Sequence, residues 1–141
     1  MTEVIETISI EERKRIISEK KAERELKLNQ QREIHALEGD ELSEQYETEI
    51  GPKGQKFDLV DCENDGWIVV RRGPAVTYKR FMASAKVDDL DKQHEFVVPN
   101  LVHPGKDEFN RITSDRPGLL TASANALIRL FGMGVQEAKK G

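Results

Sequence analysis

The chain has 141 residues, of which 37% are hydrophobic and 34% charged, with a formal net charge of −4. That balance excludes a large apolar core and leaves room for one compact domain with an extension. A single cysteine, Cys62, excludes an intramolecular disulfide, and no apolar run is long enough to span a bilayer.

The opening MTEVIETISIEERKR carries acids where a secretion signal would place cations, so a cytoplasmic protein is expected. The charge is uneven. Residues 1–50 hold 8 basic and 14 acidic side chains, a balance of −6, whereas residues 51–141 hold 14 basic and 12 acidic, a balance of +2. Neither part carries the cationic excess that sequence-independent binding to a polyphosphate backbone requires, and an acidic arm on a near-neutral domain suits protein contacts better.

In chain order, Ser9-Ile10-Glu11-Glu12 has the form of a capping box, and no Gly or Pro interrupts the run from there to about Leu37. Oppositely charged pairs four residues apart (Glu11–Arg15, Lys21–Glu25, Glu23–Lys27) support a long helix. Its apolar positions are Ile10, Ile16, Ile17, Leu26, Leu28, Ile34 and Leu37. Ile10, Ile17 and Ile34 fall near one heptad position, but Arg24 interrupts the seam and argues against a strict coiled coil. Two readings stay open: a solvated helix resting one edge on the domain, or an arm that orders fully against a partner. Gly39-Asp40 is expected to end the helix and Glu38–Glu49 to form an acidic linker. The cluster Gly51-Pro52-Lys53-Gly54 then opens the domain.

Residues 56–72 read as a β-hairpin. Phe57 and Leu59 fall on one side with Asp61, Asp65-Gly66 supplies the positive φ of the turn, and Trp67–Arg71 returns as an apolar run buried on both faces. Val76–Met82 fits either a helical turn or a third strand, helix being favoured because the stretch runs on into Ala83-Ser84-Ala85, and Asp88-Asp89 reads as the start of another short helix or loop. Glu95–Val102 is strand-like, with Pro99 favouring an edge or an irregular end. Pro104 suits the first turn of a helix over Lys106–Ser114. Pro117 suits the start of a last helix in which Leu120, Ala124, Leu127 and Phe131 line one face and Gly132 forms the stop. Residues 135–141 are expected to be a flexible tail. The resulting fold is α+β: a long N-terminal helix, then a small antiparallel sheet built on the hairpin 56–72, packed against two C-terminal helices. Its divisions are an arm and linker over 1–50, a compact domain over 51–134 and the tail. Trp67, Val69, Leu120, Leu127 and Phe131 are its expected core.

No catalytic constellation emerges. His35, His94 and His103 lie in separate segments, Cys62 has no CxxC partner, and the scattered glycines form no phosphate-binding loop, so no metal, no cofactor and no enzyme activity are expected. Acids flanking Cys62 would raise rather than lower its pKa. Arg71, Arg72, Tyr78, Lys79, Arg80 and Phe81 interleave cations with rings as single-strand nucleic-acid binders do, but Asp61, Glu63 and Asp65 on the same hairpin offset them.

The segment FDLVDCENDGWIVVRRGPAVTYKRF over Phe57–Phe81, followed by FVVPNLVHPGKDEFNRITSDRPGLLTASANALIRLFG over Phe96–Gly132, resembles the domain of small tail-assembly chaperones of long-tailed bacteriophages. The resemblance covers residues 55–132 and leaves the N-terminal helix outside it. It implies a non-catalytic factor of the host cytoplasm that holds the tape measure protein during tail morphogenesis and self-associates reversibly; the composition adds that no membrane partner is expected and that a nucleic-acid partner is disfavoured. The alternatives are a permanent structural or connector subunit of the phage particle and a small nucleic-acid-binding regulator. Helix-in-groove contact would then use Ile10, Ile17, Leu28 and Ile34 of the arm. From the small-residue face of the last helix it would use Leu119, Ser123, Ala126 and Leu130.

Overall fold

A computed structural model describes residues 9–84 and 88–140, with side chains through Gly132. The acidic opening before Ser9, Ala85 at the end of the expected second helix, and Gly141 of the expected tail lie outside the described residues. The chain divides into two units, Met1–Leu37 and Glu38–Gly141.

The architecture is α+β. In order come α1 (Ile10–Glu49), β1 (Phe57–Asp61), β2 (Trp67–Arg71), α2 (Ala75–Ala83), α3 (Leu90–Val97), β3 (Leu101–His103), α4 (Lys106–Asp115) and α5 (Pro117–Lys140). The three strands form one antiparallel sheet with β2 in the centre.

Strand periodicity sorts the side chains of the second unit into two layers, one on each face of the sheet. Leu59 pairs with Val69 and Val60 with Ile68, so neighbours along each strand serve opposite faces. Val60, Ile68 and Val70 join Cys62 in the main core with Phe81, Phe96, Phe109, Ile112 and the inner face of α5. On the other face, Val69, Phe57, Leu59 and Val102 receive Leu42, Tyr46 and Ile50 from the end of α1. Both faces of β2 are therefore covered, as its unbroken apolar run predicts: Ile68, Val69 and Val70 are all fully buried.

Five expectations need correction. Gly39-Asp40 does not end the first helix, which continues to Glu49. Leu42, Tyr46 and Ile50 recur at i, i+4 and i+8 and bury one stripe on the sheet, an energy that outweighs the roughly 1 kcal/mol a mid-helix glycine costs. Gly39 is itself buried because the Trp67 indole lies against it, where an added Cβ would meet Cζ2 at 2.6 Å. Trp67 is accordingly half-buried on the α1 side and stands outside the main core, whereas Leu120, Leu127 and Phe131 lie in it.

The Glu95–Val102 strand shortens to Leu101–His103, because Asp89 accepts the Asp91 amide at 2.8 Å as an N-cap and starts a helix that carries Phe96 and Val97 into the core. Pro104 stays outside α4, whose N-cap is Gly105. Finally, α5 runs through Gly132 to Lys140, so Gly132 is not its stop and the segment expected as a tail is helical through residue 140.

Two polar devices lock the second unit. Asn100, fully buried, accepts the Gly73 amide at 3.1 Å and donates to Thr77 Oγ1 at 3.1 Å and to the Phe96 carbonyl at 2.9 Å. It thereby ties the exit of β2, the start of α2 and the end of α3 together. Gly73 must lack a Cβ, since one would collide with the Asn100 side-chain oxygen. Arg116, just before α5, donates to the Cys62 carbonyl at 3.0 Å and pairs with Glu63 and Asp65 at 3.7 Å each, closing the hairpin turn in which Gly66 takes φ +89°.

Candidate functional site

Ser9 Oγ accepts the amide of Glu12 at 3.1 Å, satisfying one of the orphan donors at the start of α1. Acidic Glu11 and Glu12 in the first turn suit the positive end of the helix dipole. An ion pair on this stretch joins Arg15 and Glu19 at 3.9 Å.

From Ser9 to Leu37 every side chain except His35 is exposed. This includes all seven large apolar residues, from Ile16 at 40% to Ile10 at 71%. At about 100° per residue these seven fall on two faces whose centres stand about 150° apart. Ile10, Ile17 and Leu28 share one face, and Ile16, Leu26, Ile34 and Leu37 share the other. The expected grouping of Ile34 with Ile10 and Ile17 is thus corrected: it lies about 100–120° around the helix from them. A single-stripe reading missed the second face, although both are legible from residue spacing.

The other half of the expected binding surface lies inside the fold. Leu119, Ser123, Ala126 and Leu130 are buried, with Ser123 and Ala126 fully so. The small residues on α5 allow close approach to this unit's own elements: α5 packs on α3, α4, β1 and β2. Ser123 Oγ donates to the Leu119 carbonyl at 2.8 Å, so even its polar atom is used internally. These four residues are withdrawn as contacts for a partner. Ile10, Ile17, Leu28 and Ile34 are on the surface as expected.

The basic-aromatic cluster also comes apart. Phe81 stacks on Phe96 with ring centres 4.5 Å apart, and Tyr78 stacks on Phe131 at 5.0 Å. The rings are spent inside the unit, so the aromatic faces that base stacking needs are not presented. Arg72 donates to the Leu130 carbonyl at 3.5 Å and Arg71 to Gln55 at 3.5 Å. The acids of the hairpin turn answer other cations: Glu63 pairs with Arg116, and Asp65 with both Arg111 and Arg116.

Cys62 is fully buried, and burial pushes its thiol up to about 11, against the lowering influence of the Ile68 amide and Arg116. A protonated buried thiol packs as a small hydrophobe and does not act as a nucleophile. Among the described residues no group of three or more His, Cys, Asp or Glu side chains is placed to hold a metal ion, and no helix is long and apolar enough to cross a membrane.

Comparison with protein-family models, with curated proteins and with solved structures finds no match to this chain.

Proposed function

We propose that this chain is a non-catalytic protein-binding factor of the tail-assembly chaperone kind, which holds the tape measure protein of a long-tailed phage in the host cytoplasm while the tail is built. One observation carries the reading: the helical stretch 9–37 presents seven large apolar side chains to solvent. Exposed apolar side chains at helical spacing are the anchors that helix-in-groove and helix-to-helix recognition use. A long helical client with apolar stripes of its own is the partner they suit. Within this reading Ile10, Ile17, Leu28 and Ile34 remain contact residues, joined by Ile16, Leu26 and Leu37, which have the same exposed character.

Co-expression with the tape measure protein, affinity capture and size exclusion test it. The expected result is a soluble complex that is lost when residues 1–37 are removed. An insoluble, uncaptured tape measure protein overturns the reading, and recovery of this chain from purified particles points instead to a permanent structural subunit. Affinity for single-stranded nucleic acid that falls steeply with salt would favour the regulator.

A further inference from the structure

The two apolar faces of the helix over residues 9–37 differ in charge. Around the Ile10, Ile17 and Leu28 face, within about 60° of its centre at 100° per residue, stand Arg13, Lys14, Lys21, Arg24 and Arg32 and no carboxylate. Around the Ile16, Leu26, Ile34 and Leu37 face, within about 65° of its centre, stand Glu12, Glu19, Glu23 and Glu33 against two cations, Arg15 and Lys27, and Arg15 is already turned to Glu19 at 3.9 Å. The helix is therefore apolar and basic on one side and apolar and acidic on the other. Each side is built from the same heptad-like spacing. The first runs 10, 14, 17, 21, 24, 28, 31, 35, and the second runs 12, 16, 19, 23, 26, 30, 33, 37.

We infer that the helix over residues 9–37 is a self-assembly element, whose basic face docks on the acidic face of the same helix in a second copy of the chain. The charge pattern selects that occupant. A closed two-fold pair would set a face against itself, placing five cations opposite five cations on one side or a net acidic face, four carboxylates to two cations, opposite itself on the other. Basic against acidic satisfies both patterns at once and buries apolar residues from both helices between the charges. Such a contact is heterologous: each copy that uses its basic face still offers its acidic face, so association continues past a pair. Arg24, which spoils an apolar coiled-coil seam, here has a carboxylate-rich surface to meet. The inference uses the same helix as the proposed function but does not rest on the tape measure protein being the client.

Sedimentation of the purified full-length chain alone, over a range of micromolar concentrations, tests it independently of the co-expression experiment. The average mass is expected to rise with concentration beyond that of two copies, and to fall when salt is raised from about 0.05 M to about 0.5 M. Lys14→Glu, Lys21→Glu and Arg24→Glu together give a chain with two acidic faces. Glu12→Lys, Glu19→Lys and Glu23→Lys give one with two basic faces. Each triple variant alone is expected to associate on the order of tenfold or more weakly than the parent, and the two mixed are expected to associate again. Helical circular dichroism and Trp67 fluorescence unchanged in both variants separate lost association from lost folding. A parent chain that stays monomeric, a mass that stops at two copies, or triple variants that associate like the parent would each overturn the inference, as would failure of two folded variants to associate on mixing.

Discussion

Residues 9–37 and 38–49 belong to one continuous helix, yet their apolar side chains meet opposite fates. Before Glu38 seven large apolar residues are exposed; after it Leu42 is partly covered and Tyr46 is buried, with Ile50 buried just past the helix end. Helical tendency does not separate the two stretches, since both are rich in strong helix formers. Arrangement does. The later apolar residues line up at i, i+4 and i+8 in a single stripe, and Gly39 beside them admits an indole at close range. The earlier ones are split between two separate faces, so no one layer of protein could cover them all. A helix buries what one neighbour can reach, and two-faced patterning calls for two neighbours.

The sharpest way to break that contrast is to truncate one large side chain in each region. Phe96→Ala removes a ring that is 2% exposed and packed among Phe81, Tyr78 and Phe131, and is expected to cost about 3–5 kcal/mol in urea unfolding. Leu26→Ala in dilute solution is expected to stay within about 0.5 kcal/mol of the parent. A comparable loss at Leu26 would mean the helix is covered within the single chain.

Next in size is Asn100→Ala, which strips the acceptor from the Gly73 amide and the donor from Thr77 and Phe96. A cost of about 1–3 kcal/mol in the same measurement is expected, and a neutral result would show that water replaces the side chain.

Gly39→Ala sharpens the comparison by its sign. At an exposed mid-helix site this change stabilises by roughly 0.5–1 kcal/mol, but here the new methyl meets the Trp67 indole. A net loss of about 1 kcal/mol with a shifted Trp67 emission is expected, and a gain in stability would show that the ring moves aside freely.

A pH-dependent effect concerns Cys62. Because burial raises its folded pKa above the ordinary value of 9.0 to about 11, the fold favours the protonated thiol. The associated stability is present in full below pH 9 and is lost as pH rises from 9 through about 11. A thiol reagent at pH 8 is expected to label the unfolded chain quickly and the folded chain slowly; equal rates would place Cys62 at the surface.

Elements that rest on local chemistry were legible in the residues. The Ser9 cap, the helix that follows, the β-hairpin with Gly66 in its turn and the start of α5 at Pro117 all follow from caps, turn residues and periodicity within a few positions, whereas the stretch after Pro74 fitted helix and strand alike. The two-faced pattern of the first helix is equally present in the spacing, since its apolar positions form two stripes and not one seam. Only the tertiary structure decided that Glu38–Glu49 is a packed helix end and not a linker. It also set Phe96 in a helix and not a strand, and placed Leu119, Ser123, Ala126 and Leu130 inside and not on a binding face. The physical reason is the same in each case. An apolar or small side chain looks alike in sequence whether a partner or its own fold will cover it. Which of the two does so depends on the sheet, the indole and the helices that residues far away in the chain bring to that spot.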